Sequence, residues 1–217
     1  MQVIYKADTV FLWVYSAIIL IIGTAGAVSV GSFLFLPVMA AVESVYLFFA
    51  LRRPYRRYRA LKEAFPDQWK HFLADHSTFY KSIDAEGKKR FEEDIRIFLS
   101  DFSVKGTHGS TVDIETRLLV AAGVAALLHG RPDWEAPIRD GVVVYPGERF
   151  NRKYQPGRGF FAGMATRQGP LLLTEGSLEE SFKHPHDGYN VIYHELAHYF
   201  DLESGSSEWK NLFIQEW

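Results

Sequence analysis

The sequence predicts an α+β fold, a mainly helical domain with a small sheet, preceded by a two-helix transmembrane hairpin. Three observations carry that prediction. Thr9 to Val30 and Gly31 to Leu51 are apolar stretches in which Glu43 is the only charged residue. Beyond Arg59, apolar residues recur at helical spacing in several segments. Val142 to Tyr145 and Leu171 to Thr174 are instead short β-prone runs flanked by proline or glycine.

Each apolar stretch is long enough to cross a bilayer core of about 30 Å. No charged loop separates them, so they read as a helical hairpin with its turn at Val28 to Ser32. Arg52, Arg53, Arg56, Arg57 and Arg59 follow at once. The positive-inside rule places that end in the cytoplasm, and the hairpin returns the N-terminus to the same side. With Tyr55 and Tyr58 among them, these arginines suit anionic headgroups at ~1 kcal/mol each. A cleaved signal ending near Ala25-Gly26-Ala27 fits less well, because Lys6 is offset by Asp8 in the segment before it. Core helices of a soluble protein fit less well too, given the uncharged length. Glu43 is a carboxyl group inside a membrane span and is expected to face a partner helix or a polar defect rather than to serve transport.

The expected organisation is a hairpin over 1–51, a juxtamembrane basic segment over 52–59 and one globular domain over 60–217. Tyr58 to Ala74 and Ala85 to Phe102 have amphipathic helical patterns. Asp113 to His129 stops at Gly130, and its apolar run from Leu118 to Leu128 is too short to span a membrane, so a buried core helix is expected. Arg149 to Arg167, rich in glycine, arginine and aromatics, reads either as a mobile loop over a cleft or as plain connecting chain. A net charge of -2 supplies no basic excess for nucleic acid. The chain has no cysteine, which excludes disulfides, thiolate metal sites and a cysteine nucleophile.

The residues that carry chemistry are His194-Glu195-Leu196-Ala197-His198. Two histidines four apart share one helical face, about 6 Å apart along the axis, so their imidazoles can fill two corners of a tetrahedral zinc site. Glu195, offset by about 100°, can reach a water on that metal without being a ligand. Zinc brings the pKa of such a water toward ~7, and the carboxylate then takes its proton and returns it to a leaving amine. Asp187 is expected to cap this helix and Gly205 to end it. Asp187, Asn190, His194, His198 and Asp201 fall within roughly 80° on the wheel, while Ile192, Leu196, Tyr199 and Phe200 face a core.

A catalytic zinc usually takes three protein ligands. After His198 the acidic candidates are Asp201, Glu203, Glu208 and Glu216. Asp201 shares the histidine face of one straight helix, which places it more naturally as a hydrogen-bond partner of the ligands. Leu171 to Thr174 is the candidate sheet edge for an extended substrate, or else an ordinary core strand. His184 and His186, separated by Pro185, read as exposed loop histidines. His71, His76, His108 and His129 show no ligand spacing.

The stretch Asp187-Gly188-x-Asn190-Val191-x-x-His194-Glu195-x-Ala197-His198-x-x-Asp201, closing at Gly205, resembles the Mlc titration factor A family of zinc metallopeptidases. Phe65-Pro66-x-x-Trp69 and Val142-Val143-Val144-Tyr145-Pro146 support the resemblance by their order, and it extends from about Ala60 to Trp217. It implies a gluzincin-type peptidase with aminopeptidase-like activity on peptides, His194 and His198 as ligands and Glu195 as base. It also implies a third ligand, a glutamate in a Pro-Ala-Glu-Phe-like segment well downstream of the second histidine. No such segment stands between His198 and Trp217. Truncation of a longer protein is the favoured account, and a site completed differently is the other. The resulting expectation is a membrane-anchored, cytoplasm-facing peptidase with one Zn2+ per chain acting on a peptide or protein substrate. The competing expectation is a catalytically impaired docking protein that keeps the fold and binds a regulatory protein partner.

Overall fold

The two apolar stretches form helices α1 (Lys6–Val30) and α2 (Phe35–Lys62) in a computed structural model. It describes residues 1–32, 34–131, 133–138, 140–147, 163–164, 169–184 and 189–204. Contacts divide the chain into two units, Gln2–Lys62 and a second that begins at Glu63.

Within the first unit, α1 ends where the sequence places the turn. Gly31 adopts the left-handed conformation (φ 62°) that a side chain would disfavour, and its N–H donates to the Val28 carbonyl at 3.4 Å. The helices approach closely at Gly23, where an added Cβ would lie 2.8 Å from Met39 Cγ. Large apolar side chains such as Phe11, Trp13, Leu20, Phe48 and Phe49 point outward. Both helices are long and apolar enough to cross a membrane. α1 alone, with 25 residues, spans about 37 Å. A groove of about 530 Å³ between them is lined by residues including Trp13, Leu20, Gly23, Met39 and Glu43. Glu43 Oε2 is buried there with no hydrogen-bond partner among the described residues. The basic segment 52–59 is helical, since α2 runs on through Pro54 to Lys62.

The single helix expected over Tyr58 to Ala74 is replaced by two, the end of α2 in the first unit and a new helix in the second. α2 stops at Lys62, and α3 (Asp67–His76) starts after Pro66, whose φ of -62° and ψ of 134° make it an extended N-cap. Proline disfavours helical backbone at the preceding Phe65, which enforces the break. A short α4 (Thr78–Ser82) follows, capped by the Ser77 hydroxyl, which accepts from Tyr80 N at 3.2 Å. α5 (Ala85–Asp101) and α6 (Ile114–Leu128) match the sequence expectation, with Asp84 and Asp113 as side-chain N-caps. Every residue of α6 from Leu118 to Leu128 is buried, so this helix is the axis of the core. Phe91, Ile95 and Phe98 of α5 belong to the same cluster.

The strands are β1 (Val104–Gly106), β2 (Val142–Tyr145), β3 (Gly163–Met164) and β4 (Leu171–Thr174). They form one sheet in the order β1-β2-β4-β3, with β1, β2 and β4 parallel and β3 antiparallel to β4. β2 pairs in register from Val142↔Leu171 to Tyr145↔Thr174. α6 makes the crossover between β1 and β2, as a parallel pair requires. Leu171 to Thr174 is therefore not the sheet edge that the sequence reading offered for substrate. It is flanked on both sides, and its buried Leu171 and Leu173 face the core. The fold is thus mainly helical α+β, as the sequence predicts.

Candidate metal centre

α7 (Glu175–Lys183) leaves β4 directly, capped by the buried Thr174, whose Oγ1 accepts from Ser177 N at 3.3 Å. α8 (Val191–Ser204) carries the His-Glu-x-x-His segment. Its start corrects the sequence expectation. The cap is Asn190, whose side-chain oxygen accepts from Ile192 N at 3.0 Å and Tyr193 N at 3.3 Å, and Asp187 lies outside the described residues. Asn190 is thus spent on the helix terminus rather than on a histidine. The first amide of α8, at the buried Val191, donates to Ser181 Oγ of α7 at 3.0 Å, and that hydroxyl donates to Ser177 O at 2.8 Å. Two side chains therefore satisfy the amides that a helix N-terminus leaves open.

We expect Asn190→Ala to lower stability by ~1 kcal/mol through loss of the cap. Ser181→Ala should cost about 1–3 kcal/mol, because it strands a buried N–H. Thermal melts of both variants provide the check, and an unchanged midpoint in Ser181→Ala would remove that hydroxyl from its role.

Three further contacts set the height and tilt of α8. Val191, Ile192, Leu196 and Phe200 are buried, and α8 packs against α6, α7, β3 and β4. Ile192 fits over Gly123 of α6, where an added Cβ would lie 2.3 Å from Ile192 Cδ1. The Phe200 ring meets Trp134 at 5.2 Å. Of the four residues expected to face the core, Ile192, Leu196 and Phe200 do so, and the Tyr199 side chain lies outside the described residues.

With the helix fixed in this way, His194 and His198 converge. Their Nε2 atoms are 3.2 Å apart, with ring centres at 4.7 Å and planes at 85°. A tetrahedral ion holding two nitrogens at ~2.0–2.1 Å places them about 3.3–3.4 Å from each other. At 3.2 Å the pair lies just inside that spacing and at hydrogen-bond distance, so the two rings fit two ligand positions of such an ion. His194 is exposed and His198 half-buried, whereas Glu195 between them is buried at 5% exposure. The Tyr189 ring lies 5.7 Å from His194, and its phenol pKa is raised, first by burial and then by the Glu195 charge. Burial pushes the Tyr193 phenol up to about 12, so it keeps its proton at neutral pH.

Among the described residues, no group of three or more His, Cys, Asp or Glu side chains surrounds a common point. The side chains of Asp201 and Glu203, and all of Glu208 and Glu216, lie outside the described residues. Among the described residues, no other histidine joins the pair in a metal-holding group. His184 ends α7 and approaches Glu180 at 3.1 Å, His76 stacks on Phe72 at 4.3 Å, and His129 lies against Phe79 at 5.2 Å. His186 lies outside the described residues, as does the segment Arg149 to Arg167 apart from 163–164. Sequence reasoning missed Ser181 and Gly123, which fix α8 without belonging to any motif.

Residues 52–209 match the profile of the family described as glucose-regulated metallo-peptidase M90. The chain belongs to this metallopeptidase family, the Mlc titration factor A family that its sequence resembles, and the family implies a metal ion and peptide substrates. An uncharacterized protein, slr2042, of Synechocystis sp. is 25% identical over 185 residues, covering 75% of this chain and 67% of the relative. No solved structure matches.

Proposed function

We propose that this chain is a membrane-anchored, zinc-dependent peptidase, aminopeptidase-like in action, with His194 and His198 as ligands and Glu195 as general base. The observation that carries the reading is the 3.2 Å approach of the two Nε2 atoms on a helix whose intervening carboxylate is buried. One zinc per chain, when bound, supplies Lewis acidity to a carbonyl oxygen and acidifies a water. The remaining chemistry belongs to the chain. Each imidazole presents Nε2 and is held by the packing of α8 on α6 and α7. A Glu195 carboxylate oxygen accepts a proton from water and later delivers it to the leaving amine nitrogen. The third ligand belongs among Asp201, Glu203, Glu208, Glu216 or an acidic group outside this sequence.

The anchor rests on α1 and α2, and the arginines after Leu51 favour a cytoplasm-facing domain. The test is metal analysis of the full chain beside a peptide-cleavage assay with and without chelator. We expect about one zinc per chain, with cleavage lost on chelation and regained on adding zinc. His194→Ala and His198→Ala should each lose the metal. A wild-type chain that binds no zinc would overturn the reading. One that holds zinc, cleaves nothing and still binds a regulatory protein would establish the docking role instead.

A further inference from the structure

The five arginines of α2 look equivalent in sequence, yet the fold separates them. Arg57 is buried at 2% exposure, donates from Nη1 to the Gln2 carbonyl at 2.7 Å, and places its guanidinium 5.3 Å from the Tyr5 ring centre. It latches the N-terminal segment to α2. Arg52, Arg56 and Arg59 are exposed, and their i, i+4, i+7 spacing puts them on one helix face. Tyr55 and Tyr58 beside them remain 61% and 50% exposed. The Lys62 ammonium, 5.1 Å from the Tyr58 ring centre, adds a cation at the end of the helix.

This collar begins where the apolar stretch of α2 ends, at Leu51. Phenol rings settle in the interfacial layer of a bilayer, and guanidinium groups form charge-assisted hydrogen bonds with phosphate oxygens. A nucleic acid would meet the same cations, but it would not match the outward-facing apolar side chains that lead into them. We propose that the Arg52–Arg56–Arg59 face of α2 binds the headgroups of anionic phospholipids, and that Arg57 serves the fold alone. This inference rests on the membrane anchor of the proposed function and names the lipid class at its surface.

The full chain in neutral detergent, titrated with phosphatidylglycerol or phosphatidylcholine and read by native mass spectrometry, tests it. Phosphatidylglycerol is expected to be retained in preference at low salt. The combined variant Arg52→Gln, Arg56→Gln, Arg59→Gln should weaken its binding on the order of a hundredfold. Arg57→Gln, or Arg57→Lys if the former does not fold, should lower the melting temperature and leave the lipid preference in place. A triple variant that holds phosphatidylglycerol as tightly as the unaltered chain would overturn the proposal. So would an Arg57 variant that loses the preference, or displacement of the lipid by equal concentrations of inorganic phosphate or a short oligonucleotide. Carbonate extraction of membranes from expressing cells checks the anchor separately. A chain stripped by carbonate overturns both readings, whereas one that resists it and ignores phosphatidylglycerol overturns the lipid surface alone.

Discussion

Glu195→Gln is expected to cut peptide hydrolysis by ~10²–10⁴-fold or more while zinc content stays near that of the unaltered chain. The amide keeps the shape and most of the packing of the carboxylate, so the buried position between His194 and His198 remains filled. What it cannot do is accept a proton at neutral pH. The loss should therefore fall on kcat, with little change in KM, because substrate contacts elsewhere are untouched. A ligand variant such as His198→Ala behaves differently, losing activity and metal together. The distinguishing measurement is a parallel determination of zinc stoichiometry and turnover for both variants. Full turnover in Glu195→Gln would take the base role away from this residue and leave the metal pair without its assigned chemistry.

The features legible in the sequence were those written in periodicity or in adjacent residues. The hairpin, α5, α6 and the strands at Val142 and Leu171 announce themselves through uncharged length, helical spacing or β-branched and leucine runs. His194, Glu195 and His198 do so through a spacing that one helical turn enforces. Other features depend on partners distant in sequence. β1 and β3 have three and two residues, too few for a pattern, and exist because β2 and β4 offer them ladder positions. The interior place of Leu171 to Thr174 follows from β3 joining its free side, which no local signal specifies. The cap of α8 falls on Asn190 and not on the expected Asp187 because both are good capping residues, and only the path of the backbone decides which one faces the open amides. Arg57 illustrates the same limit, since its burial depends on Gln2 and Tyr5 folding back to meet it.

Gly123→Val should destabilise the domain by about 1–3 kcal/mol or more, an overpacking cost at the place where α6 meets the helix that carries His194 and His198. Gly123 lies in the fully buried part of α6, and any Cβ there meets Ile192 Cδ1 at 2.3 Å and Ile192 Cβ and Cγ2 at 3.2 Å. Two effects oppose each other in the milder Gly123→Ala. Alanine gains ~1 kcal/mol of helix propensity over glycine. Against this, Cδ1 must swing away and the two 3.2 Å contacts must open by a few tenths of an ångström. Because Cδ1 is the free end of a flexible side chain, alanine should come out near neutral, whereas the added methyl groups of valine leave Ile192 no room. For a domain of this size a loss of that order lowers the melting temperature by several degrees. The displacement falls on the turn of α8 next to His194, so zinc affinity should drop with stability even though neither ligand is altered. The decisive control is Ile192→Val, which removes Cδ1. Combined with Gly123→Ala it should be less destabilising than the sum of the two single changes, because it clears the atom that the new Cβ strikes. Strict additivity in that cycle would mean that α6 and α8 do not cross at Gly123 and Ile192, and the account of how α8 is held in place would fail with it.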